Sequence, residues 1–103
     1  MGLRRLCKLL SIYPDMQDRI EQFILYLRKY GDEGRTKNEI MRDLGLTEKQ
    51  FKRIVKKLKE ICLLQTWRDS NNVAHYYLSY DSFSAWLKLL RDTVYNVVKR
   101  GRD

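Results

Sequence analysis

Glycine, proline and histidine are scarce in this sequence: its 103 residues include five Gly, one Pro and one His. An all-β chain needs many tight turns, and Gly and Pro are the residues that build most of them. Their scarcity therefore favours helices. A hydrophobic content of 44%, with 12% aromatic residues, is enough for a packed core and argues against disorder. The length is typical of one domain, so we predict a single domain over residues 1–103.

Side chains that bind metals or carry out catalysis are also few. Cys7 and Cys62 are far apart and have no metal-ligand spacing, so we interpret them as structural thiols, buried or free, and leave a disulfide open. His75 is interpreted as an exposed strand residue and not as a ligand. The sequence has no glycine-rich phosphate loop and no Cys/His cluster with zinc spacing. We therefore expect no enzymatic activity, no cofactor and no metal site.

Long apolar runs are absent, because none approaches the ~18 residues that span a bilayer. The segment MGLRRLCKLL is basic and apolar, but Lys8 interrupts it and no small-residue cleavage site follows, so we expect no signal peptide. A short amphipathic membrane anchor is an alternative interpretation of this segment. It is disfavoured because Leu6 stands where a myristoylation motif requires Ser or Thr. We expect a cytoplasmic, intracellular protein without a membrane partner.

Positive charge is in excess. The chain has 21 Lys and Arg against 13 Asp and Glu, a formal net charge of +8. Such a surplus attracts polyanions, either nucleic acid or an acidic membrane surface. Charge alone does not choose between them.

Apolar residues recur at helical spacing in several segments. Leucines from Leu3 to Leu10 predict a short helix before Pro14, and Asp15 is the predicted cap of the next helix, which extends to Tyr30. Asp81 or Ser82 is the predicted cap of a last helix. Its apolar stripe consists of Phe83, Trp86, Leu87, Leu90, Val94, Val97 and Val98.

Two short helices separated by a tight turn are predicted in the middle of the chain. Thr36 precedes Glu39 by three residues, which is a capping box, and Thr47 precedes Gln50 in the same way. Gly45 lies between them and is suited to the left-handed conformation that ends a helix. Two short helices joined by about three residues that include Gly are typical of a helix-turn-helix.

The segments LLQTWRD and VAHYYLSY, which follow, are rich in β-branched and aromatic residues, and Ser70-Asn71-Asn72 between them favours a turn. We predict a two-stranded hairpin over residues 64–79, packed on the helices because an isolated hairpin is only marginally stable. The predicted class is therefore mostly α with a small β-hairpin (α+β).

The predicted order of elements resembles the winged helix-turn-helix family of DNA-binding regulators, of the MarR-like or ArsR-like sort. The resemblance covers about residues 15–80 and rests on four segments: Thr36-Lys-Asn-Glu-Ile40, Leu44-Gly-Leu-Thr47, Ile61-Cys-Leu-Leu64 and Tyr76-Tyr-Leu-Ser79. It implies a recognition helix at about 48–60 and a wing at 64–79. The terminal helices, at 1–13 and 82–100, resemble those used for dimerisation in small archaeal and archaeal-virus regulators.

The predicted recognition helix is apolar on one side, with Phe51, Val55 and Leu58, and basic on the other. Its first half would reach base edges, so the predicted base-contacting residues are Lys49, Gln50 and Arg53. The predicted contacts to the DNA backbone are Thr36, Lys37, Asn38, Lys52, Lys56, Lys57, Arg68 and Asn71. The alternatives are a plain solvated face for the lysines and plain capping for the residues at 36–38.

The predicted function is sequence-specific binding of double-stranded DNA by a transcription regulator. The predicted assembly is a homodimer that pairs the Leu3–Leu10 and Ser82–Lys99 helices, which have more apolar surface than a small core covers. The competing class is a winged helix that docks another protein and binds no DNA. Such a module is expected to expose apolar or acidic residues on its third helix, whereas this sequence places Lys and Arg there.

Overall fold

The structure is a computed structural model, and it describes residues 2–100. Its elements in chain order are α1 (Gly2–Leu10), α2 (Pro14–Arg28), β1 (Arg35–Thr36), α3 (Lys37–Leu44), α4 (Glu48–Glu60), β2 (Leu64–Arg68), β3 (Ala74–Leu78) and α5 (Tyr80–Tyr95). A 3-10 turn at Gly31–Glu33 precedes β1, and a π-helical turn at Asn96–Arg100 continues α5. The ends of the predicted domain, residue 1 and residues 101–103, lie outside the described residues.

Two predicted helix starts are wrong by two or three residues. Pro14 is the first residue of α2 and Tyr13 takes the cap position, so Asp15 lies inside the helix. Pro suits this position because its φ is already helical and its missing N–H is not needed there. The cap of α5 is Ser79, whose Oγ accepts a hydrogen bond from the Ser82 N–H at 3.2 Å. The residues predicted as caps, at 81 and 82, are therefore in the first turn of α5.

The turn between α3 and α4 is confirmed with both of its capping boxes. Thr36 Oγ1 accepts from the Glu39 N–H at 3.3 Å, and Glu39 Oε1 accepts from the Thr36 N–H at 3.0 Å. Thr47 and Gln50 make the same reciprocal pair, at 3.1 and 3.0 Å. Gly45 is left-handed, with φ 63° and ψ 37°. Because each helix end is fixed by its own side chains, the three-residue turn holds α3 and α4 in a defined relation.

The sheet has three antiparallel strands in the order β1-β3-β2, one more than the predicted hairpin. Leu64 pairs with Leu78 across the hairpin, and Arg35 of β1 pairs with Tyr76 on the other side of β3. The close approach of β1 depends on Gly34, whose φ is 67°. A Cβ at this position would lie 2.2 Å from the carbonyl oxygen of Tyr76. Only glycine, which has no Cβ, fits between β1 and β3.

The core lies where α2, α3 and α4 meet the sheet. Phe51 of α4 joins α2 to the sheet, because its ring centroid lies 6.2 Å from that of Phe23 of α2 and 5.3 Å, edge-on, from that of Tyr76 of β3. The largest fully buried side chains of the core are Phe23, Ile20, Leu27, Ile40, Ile54, Leu58, Leu64 and Cys7. Since α4 contributes three buried residues to this core, the orientation of its opposite side toward solvent is fixed by packing.

Candidate nucleic-acid interface

Helix α4 buries one side and exposes a basic one. Phe51, Ile54 and Leu58 are at most 2% exposed. The helix contains six basic and two acidic residues, and its exposed basic side chains are Lys49, Lys52, Arg53, Lys56 and Lys59. Among residues 2–100, Lys49, Arg53 and Lys56 have no ion-pair or side-chain hydrogen-bond partner. These three cations are therefore available to an external anion.

Gln50, predicted to contact bases, is already engaged in the cap of α4. Its Oε1 accepts from the Thr47 N–H at 3.0 Å, and the side chain is only half-exposed. A bidentate contact to adenine needs both the amide oxygen and the amide nitrogen. Gln50 would have to give up the Thr47 bond to make such a contact, whereas a single bond donated by its Nε2 would leave the cap intact.

Lys57, predicted to contact phosphate, is directed toward helix α1. Its Nζ donates to the carbonyl oxygen of Leu10 at 2.6 Å, and the side chain is half-buried. This bond satisfies a carbonyl at the end of α1 that the helix itself leaves open. Beside it, Arg53 and Lys56 line one side of a groove, whose other side includes Leu9 and Ile12, 82% and 81% exposed.

The three residues at the start of α3 differ in whether their side chains are free to bind a phosphate. The hydroxyl of Thr36 accepts from the Glu39 backbone N–H and donates to Glu39 Oε1 at 3.0 Å, so capping uses the only hydrogen that it could donate to a phosphate. Asn38 is exposed and has no side-chain partner within residues 2–100. Lys37 donates to a carboxylate of α4, that of Glu48. Of these three, Asn38 is the one whose side chain is free for a phosphate.

Glu48 belongs to this surface, and sequence reasoning missed it. It is the first residue of α4, and its Oε1 lies 3.8 Å from Lys52 Nζ as well as accepting from Lys37 Nζ. The hydrogen bond from Lys37 is the main cause that holds the pKa of Glu48 below its usual value. The spacing of Glu48 and Lys52, four residues apart on a helix, was the signal available in the sequence.

A polar cluster behind the interface joins β1 and α3 to α2. Arg35 Nε donates to the Tyr26 hydroxyl at 3.0 Å, and its NH2 donates to Asp43 Oδ2 at 3.2 Å. The Tyr26 hydroxyl donates to the same carboxylate, which is the main cause that lowers the pKa of Asp43 to about 2. Burial is the main cause that raises the pKa of Tyr26 to about 12. The cluster fixes α3, and through the turn it also fixes α4.

The hairpin tip, the predicted wing, is organised by one carboxylate. Asp69 Oδ1 accepts from the backbone N–H groups of Asn71 and Val73, at 2.8 and 3.0 Å, and Oδ2 lies 2.8 Å from His75 Nε2. The hydrogen bond to His75 is the main cause of a lowered pKa for Asp69. Arg68 NH1 donates to the Asn72 carbonyl at 2.8 Å, and Asn71 is exposed at the tip.

The ring of His75 stacks on that of Trp67, with centroids 4.3 Å apart and planes at 10°. Its side chain is 20% exposed, so the interpretation of His75 as a simply exposed residue is wrong. Within residues 2–100, no group of three or more His, Cys, Asp or Glu side chains is placed to hold a metal ion. Both cysteines are free thiols in the structure. None of the helices within this range has the length and apolar character needed to cross a membrane.

The comparisons with known proteins agree with this geometry. Residues 27–65 match the family model described as the CENP-B N-terminal DNA-binding domain, a segment that contains the whole helix-turn-helix. The fold is similar to that of MepR, described as a transcription regulator of the Staphylococcus aureus multidrug efflux pump MepA. The TM-score is 0.59 at 15% sequence identity, covering 96% of this chain and 76% of that chain. No curated protein matches the sequence.

The chain therefore has the winged helix-turn-helix fold that the sequence predicted. Its segment 27–65, which contains the helix-turn-helix, is similar to a DNA-binding domain. A narrower assignment, to MarR-like or ArsR-like regulators of archaea or their viruses, stays a prediction.

Proposed function

We propose that the protein is a transcription regulator that binds double-stranded DNA in a sequence-specific manner, with α4 in the major groove. The observation that supports this most is the exposed side of α4, where Lys49, Arg53 and Lys56 have no partner among the described residues while the opposite side is locked into the core. A cationic helix held rigidly by its apolar side is the arrangement that major-groove recognition requires. A helix whose lysines served only to contact water would not need this fixed orientation.

The proposed roles follow the position of each side chain along α4 and around it. Lys49 and Arg53, in the first half of the helix, contact base edges, and Gln50 contributes its amide nitrogen. The proposed backbone contacts are Thr36, Lys37, Asn38, Lys52, Lys56, Lys57, Arg68 and Asn71. Thr36 would contribute chiefly through the helix N-terminus that it caps, since its hydroxyl is occupied. Lys57 would first have to leave the Leu10 carbonyl.

We further propose a homodimer formed by the terminal helices. Helix α5 and the turn after it expose an apolar stripe whose members are 43% to 69% exposed: Leu87, Leu90, Val94, Val97 and Val98. On α1, the other helix of the proposed dimer, Leu9 is 82% exposed, whereas Leu3, Leu6 and Leu10 pack against the core of their own chain. Contiguous apolar surface of this kind favours burial against a partner. A two-fold dimer would present two copies of α4 to successive turns of the DNA.

The experiment that tests the proposed function is a fluorescence-anisotropy titration with a random-sequence duplex at several salt concentrations. If the basic side chains neutralise phosphates, log Kd varies linearly with log salt, by about 0.9 for each phosphate contacted. A weak, salt-independent response would contradict DNA binding and would favour the alternative of a protein-docking winged helix.

A further inference from the structure

Two of the proposed phosphate contacts share one carboxylate. Lys37, in the first turn of α3, donates its ammonium to Glu48 Oε1, and the ammonium of Lys52 lies 3.8 Å from the same oxygen. The Lys37 Nζ also lies 5.8 Å from the centre of the Phe51 ring, so the cation is held between the starts of the two helices. Glu48 is one of only two acidic residues on α4, and the other, Glu60, is at the opposite end.

We propose that Glu48 weakens the binding of this surface to random DNA, because its carboxylate holds the ammonium groups of Lys37 and Lys52 that phosphates would otherwise take. The inference rests on the proposed DNA-binding function and assigns this residue a role within it. Glu48 itself need not touch a base.

The restraint follows from how affinity for random DNA arises. Non-specific binding depends almost entirely on phosphate contacts and the release of counterions from them. A lysine that is already paired must give up or share its carboxylate, and that carboxylate then lies close to a phosphate of the same sign. At a specific site the base contacts of Lys49 and Arg53 add affinity that does not pass through Glu48. The carboxylate therefore lowers the phosphate-dependent part of the affinity, which is nearly all of the affinity for random DNA.

The side chain of Glu48 is 58% exposed and that of Lys37 is 37% exposed, so the pair is solvated and weak. Phosphate can therefore displace the carboxylate, which makes the restraint graded. The opposing idea is that Glu48 orients Lys37 for the phosphate and so helps binding. The two ideas predict opposite changes in DNA affinity when the negative charge of Glu48 is removed.

The test uses the full chain with Glu48→Gln, which keeps side-chain length and removes the charge. Glu60→Gln is the matched control, because it makes the same charge change on the same helix and Glu60 has no ion pair among residues 2–100. Binding of a random-sequence duplex is measured at about 0.15 M salt, where charges beyond roughly 8 Å are screened. Melting temperatures of both variants verify that they are folded.

We expect Glu48→Gln to tighten binding of the random duplex by about two- to fivefold and to steepen its salt dependence. Glu60→Gln should change the affinity by less than this. In a Lys37→Met background the gain from Glu48→Gln should shrink, because one of the two restrained lysines is gone.

Equal effects of the two Gln variants, or weaker binding by Glu48→Gln, would overturn this inference while leaving DNA binding in place. A wild-type protein that binds no duplex would instead contradict the proposed function, and with it this inference.

Discussion

At the scale of single residues, Arg53 is the side chain on which the proposed contact to a base edge most depends. It is on the solvent side of α4, in the half of the helix proposed to reach into the groove, and has no partner among the described residues. We predict that Arg53→Ala weakens binding to the specific site by about 1–3 kcal/mol, because a bidentate contact to guanine is lost. Binding to random DNA should weaken less.

Arg53→Lys separates base contact from phosphate contact, since it keeps the charge but loses the planar fork of donors. If Arg53 contacts a base, the Lys variant loses sequence preference almost as fully as the Ala variant does. Retention of full sequence preference in Arg53→Lys, measured by competition between specific and random duplexes, would reassign the residue to the DNA backbone.

The residues of the interface were predictable from the sequence only in part. Periodicity placed Lys49, Arg53 and Lys56 on the side of α4 opposite Phe51, and the structure has them there. The periodicity of one helix carries no information about which residues of other elements contact its side chains. The bond from Lys57 to Leu10 spans 47 residues, and that from Lys37 to Glu48 joins two helices. Such contacts depend on tertiary packing, which is why the sequence did not reveal them.

At the scale of elements, the helices around the turn were predictable because their ends are encoded locally. Thr36 and Thr47 each cap a helix through residues three positions away, and Gly45 ends the first helix by its own conformation. Strand β1 was not predictable. It has two residues and exists because it pairs with Tyr76 and His75, some forty positions later in the chain. No hydrophobic alternation can be read from two residues.

We predict that Gly34→Ala lowers the free energy of unfolding by about 3 kcal/mol or more, measured by urea denaturation. With φ 67° and ψ −165°, Gly34 is in a region almost confined to glycine, and the added Cβ would meet the Tyr76 carbonyl at 2.2 Å. Gly31→Ala is the matched control: its φ is also positive, at 54°, but nothing lies within 4 Å of the added Cβ.

Gly31→Ala should lower the free energy of unfolding by only about 1–2 kcal/mol, the usual penalty for an L-residue in the left-handed conformation. Equal losses in the two variants would mean that β1 does not depend on close approach to β3.

At the scale of the whole molecule, the exposed apolar stripe of α5 predicts self-association. We expect a dimer in sedimentation equilibrium at micromolar concentration, and we expect Val94→Lys to shift it toward monomer because a charge enters the apolar stripe. Val94 is 52% exposed on α5. Asn96→Lys is the matched control, since it adds the same charge at an exposed position about 160° farther around the helix. A wild-type protein with the mass of a monomer would contradict the dimer.

The position of the DNA-binding surface is also a property of the whole molecule, because a cationic protein can attract DNA with any part of its surface. In one variant Lys49, Arg53 and Lys56 are replaced by Gln. In the other, three exposed lysines outside α4 are replaced by Gln: Lys8, Lys29 and Lys88. Both variants have the same net charge, so a long-range effect of charge is matched.

The two variants are compared with the wild type in one anisotropy titration against duplex DNA. We predict that the α4 variant loses most of its affinity and that the other variant stays within a few-fold of the wild type. Equal losses of affinity in the two variants would contradict the claim that α4 is the DNA-binding element.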